Sequence, residues 1–168
     1  GLFDEELVRN QDDELSYRVR KAGGRILVSP AMRSRYQNRQ SWRKLVRQFY
    51  EYGLWKTRVL QKHPRQMSIG HYVPPGFDAV VLAGLMSGLF FGPTGPLASV
   101  TALGAYAGTM ALVALREARS GARGRYWLAL VLIHHAWALG FLMGMVRFAP
   151  RWLQAEPPVP RLAPVVSM

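Results

Sequence analysis

Between Tyr72 and Leu115 the chain carries a single charged residue, Asp78. A helix packed in a soluble core does not need so long an uncharged run. Gly92-Pro93-Thr94-Gly95-Pro96 interrupts it, leaving about 73–91 and 97–115. Each piece has close to the ~20 residues that a helix needs to cross a bilayer. A third apolar stretch, about 126–146, follows Arg116, Arg119, Arg123 and Arg125 and stops at Arg147 and Pro150. About three transmembrane helices over 73–148 are therefore expected, with Pro74-Pro75-Gly76 at their boundary. Asp78 would cost ~2.5–3.5 kcal/mol at a bilayer centre, so it is expected near the end of the first span, reaching the interface.

Net charge is +12, and it is unevenly placed. Residues 1–72 hold 15 Lys and Arg against 7 acids, and from Arg25 to Arg65 there are 11 basic residues and one acid, Glu51. Such a stretch suits anionic partners. With the basic portion cytoplasmic, the positive-inside rule sends the first span out and the second back to deliver four arginines. The third then exits, and the Pro-rich tail over 149–168 lies outside. No cysteine is present, which excludes disulfides and thiolate metal sites. The four histidines are not at a recognisable ligand spacing, so no metal site is expected in this chain. His134 and His135 lie within the third span, where a bond to a neighbouring helix is the plainer role and a functional one the alternative. Gly84 with Gly88, Gly104 with Gly108, and Gly140 with Gly144 are each four apart, which permits close helix approach.

Ahead of the spans, Asn10-Gln11-Asp12-Asp13-Glu14 gathers three carboxylates behind an Asn and in front of Leu15, Val19 and Ala22 at helical spacing. Asn is a favoured N-cap, acids suit the positive end of the helix dipole, and Gly23-Gly24 supplies the stop. A helix over about 11–22 is predicted. Arg25-Ile26-Leu27-Val28, closed by Ser29-Pro30, reads as a buried strand of an α/β domain whose other strands lie upstream, and 32–39 as a basic loop. Ser41 is placed to cap a second helix from Trp42 to about Leu60. Its aromatics gather on one side and its cations on the rest, which suits either a membrane surface or an ordinary packed helix. A nucleic-acid helix is the weaker reading, because the downstream spans point to a bilayer.

The GLFDE opening, the NQDDEL run and Arg18-Val19-Arg20-Lys21-Ala22-Gly23-Gly24 together resemble the acceptor-side segment of family 2 glycosyltransferases, the membrane-associated succinoglycan-biosynthesis type. That family shows an acidic pair followed at fixed spacing by Leu and Arg. Here Gln11-Asp12, Leu15 and Arg18 are in step, with Gln11 standing where the family has Glu. By that resemblance Asp12 takes the place of the catalytic base, with Gln11 and Asp13 beside the acceptor. Gln48-x-x-x-Tyr52-Gly53 resembles the family's Gln-x-x-Arg-Trp segment, with Glu51 and Tyr52 replacing the Arg and Trp. It implies acceptor contacts from Gln48 and Tyr52, and a diphosphate contact from Arg47 or Lys56 in place of the motif Arg. The span residues His134 to Gly144 are similar to the family's terminal-span pattern.

The resemblance implies the C-terminal part of a GT-A (nucleotide-diphospho-sugar transferase) domain over 1–40, a basic interfacial helix and linker over 41–72, then the spans. It implies an inverting transfer from a nucleotide-diphospho-sugar donor to a polyprenyl-linked or polysaccharide acceptor, at the cytoplasmic face of a multi-pass protein of the cell membrane. Single addition to a lipid carrier suits three spans better than processive synthesis. The divalent metal (Mg or Mn) of such enzymes would find its ligands outside this chain, so residues 1–168 alone are expected to be inactive. Membrane lipids are the other partner and nucleic acid is not. The rival reading is a non-catalytic membrane anchor or interaction protein with a basic surface segment.

Overall fold

The computed structural model describes residues 2–35 and 41–153. Five long helices carry the fold: α1 (Gln11–Lys21), α2 (Trp42–Lys62), α3 (Val73–Phe91), α4 (Thr94–Glu117) and α5 (Arg123–Arg147). Short 3₁₀ turns over Pro64–Gln66, Ile69–His71, Ser120–Ala122 and Ala149–Leu153 join or end them. The predicted helices are present, with shifts of a few residues at their ends. α4 begins inside the Gly-Pro turn, because Pro96 falls in its first helical turn, where no amide donor is required. The Pro-rich tail past residue 153 lies outside the described residues, as does part of the basic loop, residues 36–40.

The strand expected over Arg25–Val28 is absent, and among the described residues no strand is found. Leu27 and Val28 are 82% and 88% exposed. A strand is held by ladder bonds to a neighbour, and nothing among these residues supplies one. The α/β part of the expected GT-A architecture is therefore not seen, and the described fold is helical.

α3, α4 and α5 are each long and apolar enough to cross a membrane. α3 and α4 form an antiparallel hairpin across the turn at Gly92, whose φ of 82° lies in the left-handed region that glycine accepts at no steric cost. Gly84 faces Ser99, and Gly88 faces Pro96. Asp78 lies in the second turn of α3, near one end of that helix as expected. His135 Nδ1 donates to its two oxygens at 2.9 and 3.1 Å, so the lone span carboxylate is answered from α5. Tyr106 of α4 shares a 2.8 Å hydrogen bond with His134. Both histidines thus bond neighbouring helices.

The largest helix contact is that of α2 with the second half of α5. The helices run parallel, with Tyr50 on Gly140, Leu54 and Thr57 on Gly144, and Gln61 on Phe148. A Cβ at Gly53 would overlap the Trp137 carbonyl oxygen, and one at Gly140 the Tyr50 carbonyl oxygen. The Thr57 hydroxyl, fully buried, donates to the Phe141 carbonyl at 3.1 Å. Of the three glycine pairs read from the sequence, Gly140 with Gly144 and Gly84 with Gly88 are used in this way. Gly104 and Gly108 face open space.

Candidate active site

Along the charged residues of α2 lies the acidic N-terminal segment. It behaves as a strap, with its carboxylates spread along the cations of α2. Lys62 Nζ donates to Asp4 and Glu6 at 2.6 and 2.7 Å. Arg58 Nε donates to Glu6 at 2.7 Å. Arg9 donates to Glu51, which also accepts from Arg47, both at 2.8 Å. Lys56 pairs with Asp13. Leu7, within the strap, is fully buried. The pairing shows in the titration. Arg58, then Lys62, hold the Glu6 carboxyl at about 2 against burial that works the other way. Arg47, then Arg9, lower Glu51. Burial pulls the Lys62 ammonium down, but Asp4 and Glu6 outweigh it and raise it.

The strap turns into α1 at Asn10. Its backbone is left-handed (φ 64°, ψ 21°), a conformation that Asn tolerates better than other non-glycine residues. Its side chain makes no capping bond; instead Nδ2 donates to the Tyr52 carbonyl at 3.0 Å. Ser41 likewise stands at the start of α2 without a side-chain cap bond. The first turn of α1 is then anchored residue by residue. Gln11 Nε2 reaches the Asp4 carbonyl at 3.3 Å. Asp13 holds Lys56, and its carbonyl accepts from Gln66 at 3.1 Å. Glu14, 2% exposed, accepts at one oxygen from Arg18 Nε at 2.6 Å and His63 Nε2 at 2.8 Å. Tyr17 packs on the His63 ring at 5.2 Å.

Asp12 differs from its neighbours. It is exposed, and among the described residues no hydrogen bond or ion pair engages its carboxylate. It is therefore a carboxylate on a rigid helical turn whose flanking residues are bonded to Tyr52 and Lys56 of α2. Such an arrangement can accept a proton from a hydroxyl brought to it.

On α2, Gln48 Nε2 donates to the Tyr52 hydroxyl at 2.8 Å, and Phe49 meets the Tyr52 ring edge-on at 5.8 Å. Arg47, 80% exposed, keeps one bond to Glu51. Lys56 is buried against Asp13. The structure thus brings Asp13 to Lys56, while Tyr52 meets this segment through its carbonyl, on Asn10. Gln11 is turned to the strap's own backbone. The pairing of Glu14 with His63 was not read from the sequence, and Asn10, expected as a cap, serves as a tether to Tyr52. The i,i+4 spacing of Glu14 and Arg18 is a signal that could have marked Glu14 as a paired acid.

Among the described residues, cavities between the helices include two beside the histidines of α5. One of about 390 Å³ is bounded by Phe49, Ser68, His71, Ile133, His134 and Trp137. Its neighbour, about 270 Å³, is bounded by Phe77, Asp78, Tyr106, Met110, His134 and His135. Asp12 lines neither. Among the described residues no group of three or more His, Asp or Glu could hold a metal ion. The carboxylates beside Asp12 are already committed to Lys56, Arg18 and His63, so they do not fit a cation cage.

The chain is similar to the succinoglycan biosynthesis protein ExoA of Rhizobium meliloti (strain 1021), at 27% identity over 157 residues. The match covers 90% of this chain and 45% of that protein, so the chain spans less than half the length of the curated relative. No protein-family model matches the chain, and no solved structure gives a significant match. The resemblance read from the motifs is therefore accompanied by weak homology, extending over nearly the whole chain, to a protein of succinoglycan biosynthesis.

Proposed function

We propose that this chain is the acceptor-side and membrane-seated part of a glycosyltransferase of exopolysaccharide synthesis. The reaction would move a sugar, with inversion, from a nucleotide-diphospho-sugar to a hydroxyl of a lipid-linked or polysaccharide acceptor at the cytoplasmic membrane face. The observation that carries the reading is the state of the acidic run. Asp13 and Glu14 are bonded to the fold, while Asp12 between them and Gln11 stays exposed on the same rigid turn.

In this reading Asp12 accepts the proton of the acceptor hydroxyl as its oxygen bonds to the anomeric carbon. The bond from that carbon to the diphosphate oxygen breaks, and the electron pair leaves with the diphosphate. General-base catalysis of this kind contributes ~10²–10⁴-fold. The Gln48–Tyr52 pair, with Gln11, offers donors and acceptors for sugar hydroxyls, and Asp13 orients its neighbour by gripping Lys56. Arg47 is the cation with reach toward a departing diphosphate, since Lys56 is buried in its ion pair. A divalent metal, Mg or Mn, would supply further charge stabilisation from ligands outside these residues, and no step here passes through it.

The test is Asp12→Asn in the intact enzyme. Transfer is expected to fall by ~10²–10⁴-fold while donor binding, followed by calorimetry, is unchanged. Retained transfer would overturn the assignment. Residues 1–168 alone are expected to show no transfer, and measurable turnover by them would remove the need for a donor site elsewhere.

A further inference from the structure

Three crossings would set the two ends of α5 on opposite faces of the bilayer. The packing argues against that. At the end of α5 the Phe148 carbonyl accepts from Gln61 at 2.8 Å, and the Phe148 ring lies 5.4 Å from Trp55. Arg151, just beyond, pairs with Glu6 of the strap. The C-terminal end of α5 thus rests on α2, and the chain just beyond it reaches the strap that leads to Asp12.

The parallel course of α2 sharpens the point. Tyr50 lies on Gly140, so the first turn of α2, eight residues earlier, falls beside the middle of α5. Arg43, Lys44 and Arg47 are exposed there. With α5 upright, these three cations would face lipid near the bilayer centre, where charge is strongly disfavoured. The charges of α5 agree, because Arg123 and Arg125 open it while Arg147 and Arg151 close it. Crossing would leave one pair on the translocated face, against the positive-inside bias. Exposed Trp42, Tyr126 and Trp152 stand near the ends of α2 and α5, the kind of side chain that settles at headgroup level.

We infer that α3 and α4 alone cross, as a hairpin, while α2 and the second half of α5 form one layer seated along the headgroups of an anionic leaflet. Both ends of α5 lie on the face that carries the strap. The first half of α5 leans on α4, where Trp127 Nε1 donates to the Ala107 carbonyl at 3.0 Å, so the helix slopes into the interface. None of this depends on the chemistry of Asp12.

The chain has no cysteine, so one introduced thiol reports alone. Ser29→Cys, Thr94→Cys, Ser120→Cys and Ala149→Cys, each in the full chain in sealed membrane vesicles, are treated with a membrane-impermeant maleimide from one side. Ser29, Ser120 and Ala149 positions are expected to react from the same side, and the Thr94 position only from the other. Reaction of the Ala149 position with the Thr94 side means that α5 crosses, and the inference fails. Reaction of all four from one side means that the hairpin does not cross, and it fails equally. Trp152→Cys repeats the Ala149 measurement, so that one misfolded variant does not decide the result. A nitroxide on Lys44→Cys is expected at headgroup depth, and a reading at the bilayer centre overturns the layer.

Discussion

At Asn10 a left-handed backbone and a side-chain bond to the Tyr52 carbonyl coincide, so one residue both turns the strap into α1 and fastens that turn to α2. The two contributions can be separated. Asn10→Gly keeps the conformation and loses the bond, whereas Asn10→Ala loses both. Each bond is worth ~0.5–1.5 kcal/mol, and a non-glycine residue held left-handed adds ~1–2 kcal/mol. Denaturant unfolding in detergent is expected to rank Asn10→Ala below Asn10→Gly, and equal midpoints would remove the conformational share. Asp12→Asn is expected to change stability by no more than ~0.5 kcal/mol, as exposed substitutions do, so a loss of transfer would not reflect unfolding. The identity of these residues was legible from spacing, but their duties were not. Asn10 reads as a cap and acts as a tether. Glu14 reads as one more first-turn acid and is the buried partner of His63, a residue 49 positions away that no local pattern announces.

Among the elements, α2 and α5 approach so closely because glycine occurs on both at the crossing. An added methyl there meets a main-chain oxygen, which cannot rotate aside. Gly53→Ala and Gly140→Ala are therefore each expected to lower stability by ~1–3 kcal/mol, with a matching fall in thermal midpoint in detergent. Gly104→Ala, facing open space within α4, is expected to be neutral or stabilising by up to ~1 kcal/mol. If all three behaved alike, the close crossing would be refuted. Asp78 and His135 form the other inter-element contact of consequence. His135→Ala strands a carboxylate among apolar helices and is expected to destabilise by more than the double replacement of both residues by Leu. A double-mutant cycle reads the coupling. Helix boundaries were visible in the sequence because charge, Pro and Gly act locally. The partner of each glycine pair was not, since the same spacing describes Gly104 with Gly108, which meets nothing.

For the molecule as a whole, the strap couples the acidic N-terminal segment to a strongly basic helix, and its grip is set by pH. Glu6 titrates at about 2 in the fold against its ordinary 4.5, and Glu51 is likewise lowered. A depressed carboxyl stabilises fully above its ordinary value and loses that contribution as pH falls through the folded one. Release of residues 2–21 from α2 is thus expected as pH drops from 4.5 toward about 2. Hydrogen exchange of the strap amides would follow it, and Glu6→Gln should flatten the response. At this scale the sequence was least informative. The three apolar runs show how much chain a bilayer can accept, but only packing shows where α5 ends. The expected strand failed for a related reason, because a ladder needs a neighbour that 25–28 does not find here.

α2 fills its apolar side with α5, and Leu54 and Thr57 are covered where that helix packs on them. Cutting the chain after residue 72 to obtain a water-soluble piece would strip this lining and leave a sticky, aggregation-prone helix. Any preparation that keeps the Asp12 region native has to bring its hydrophobic remainder along, in micelle or nanodisc.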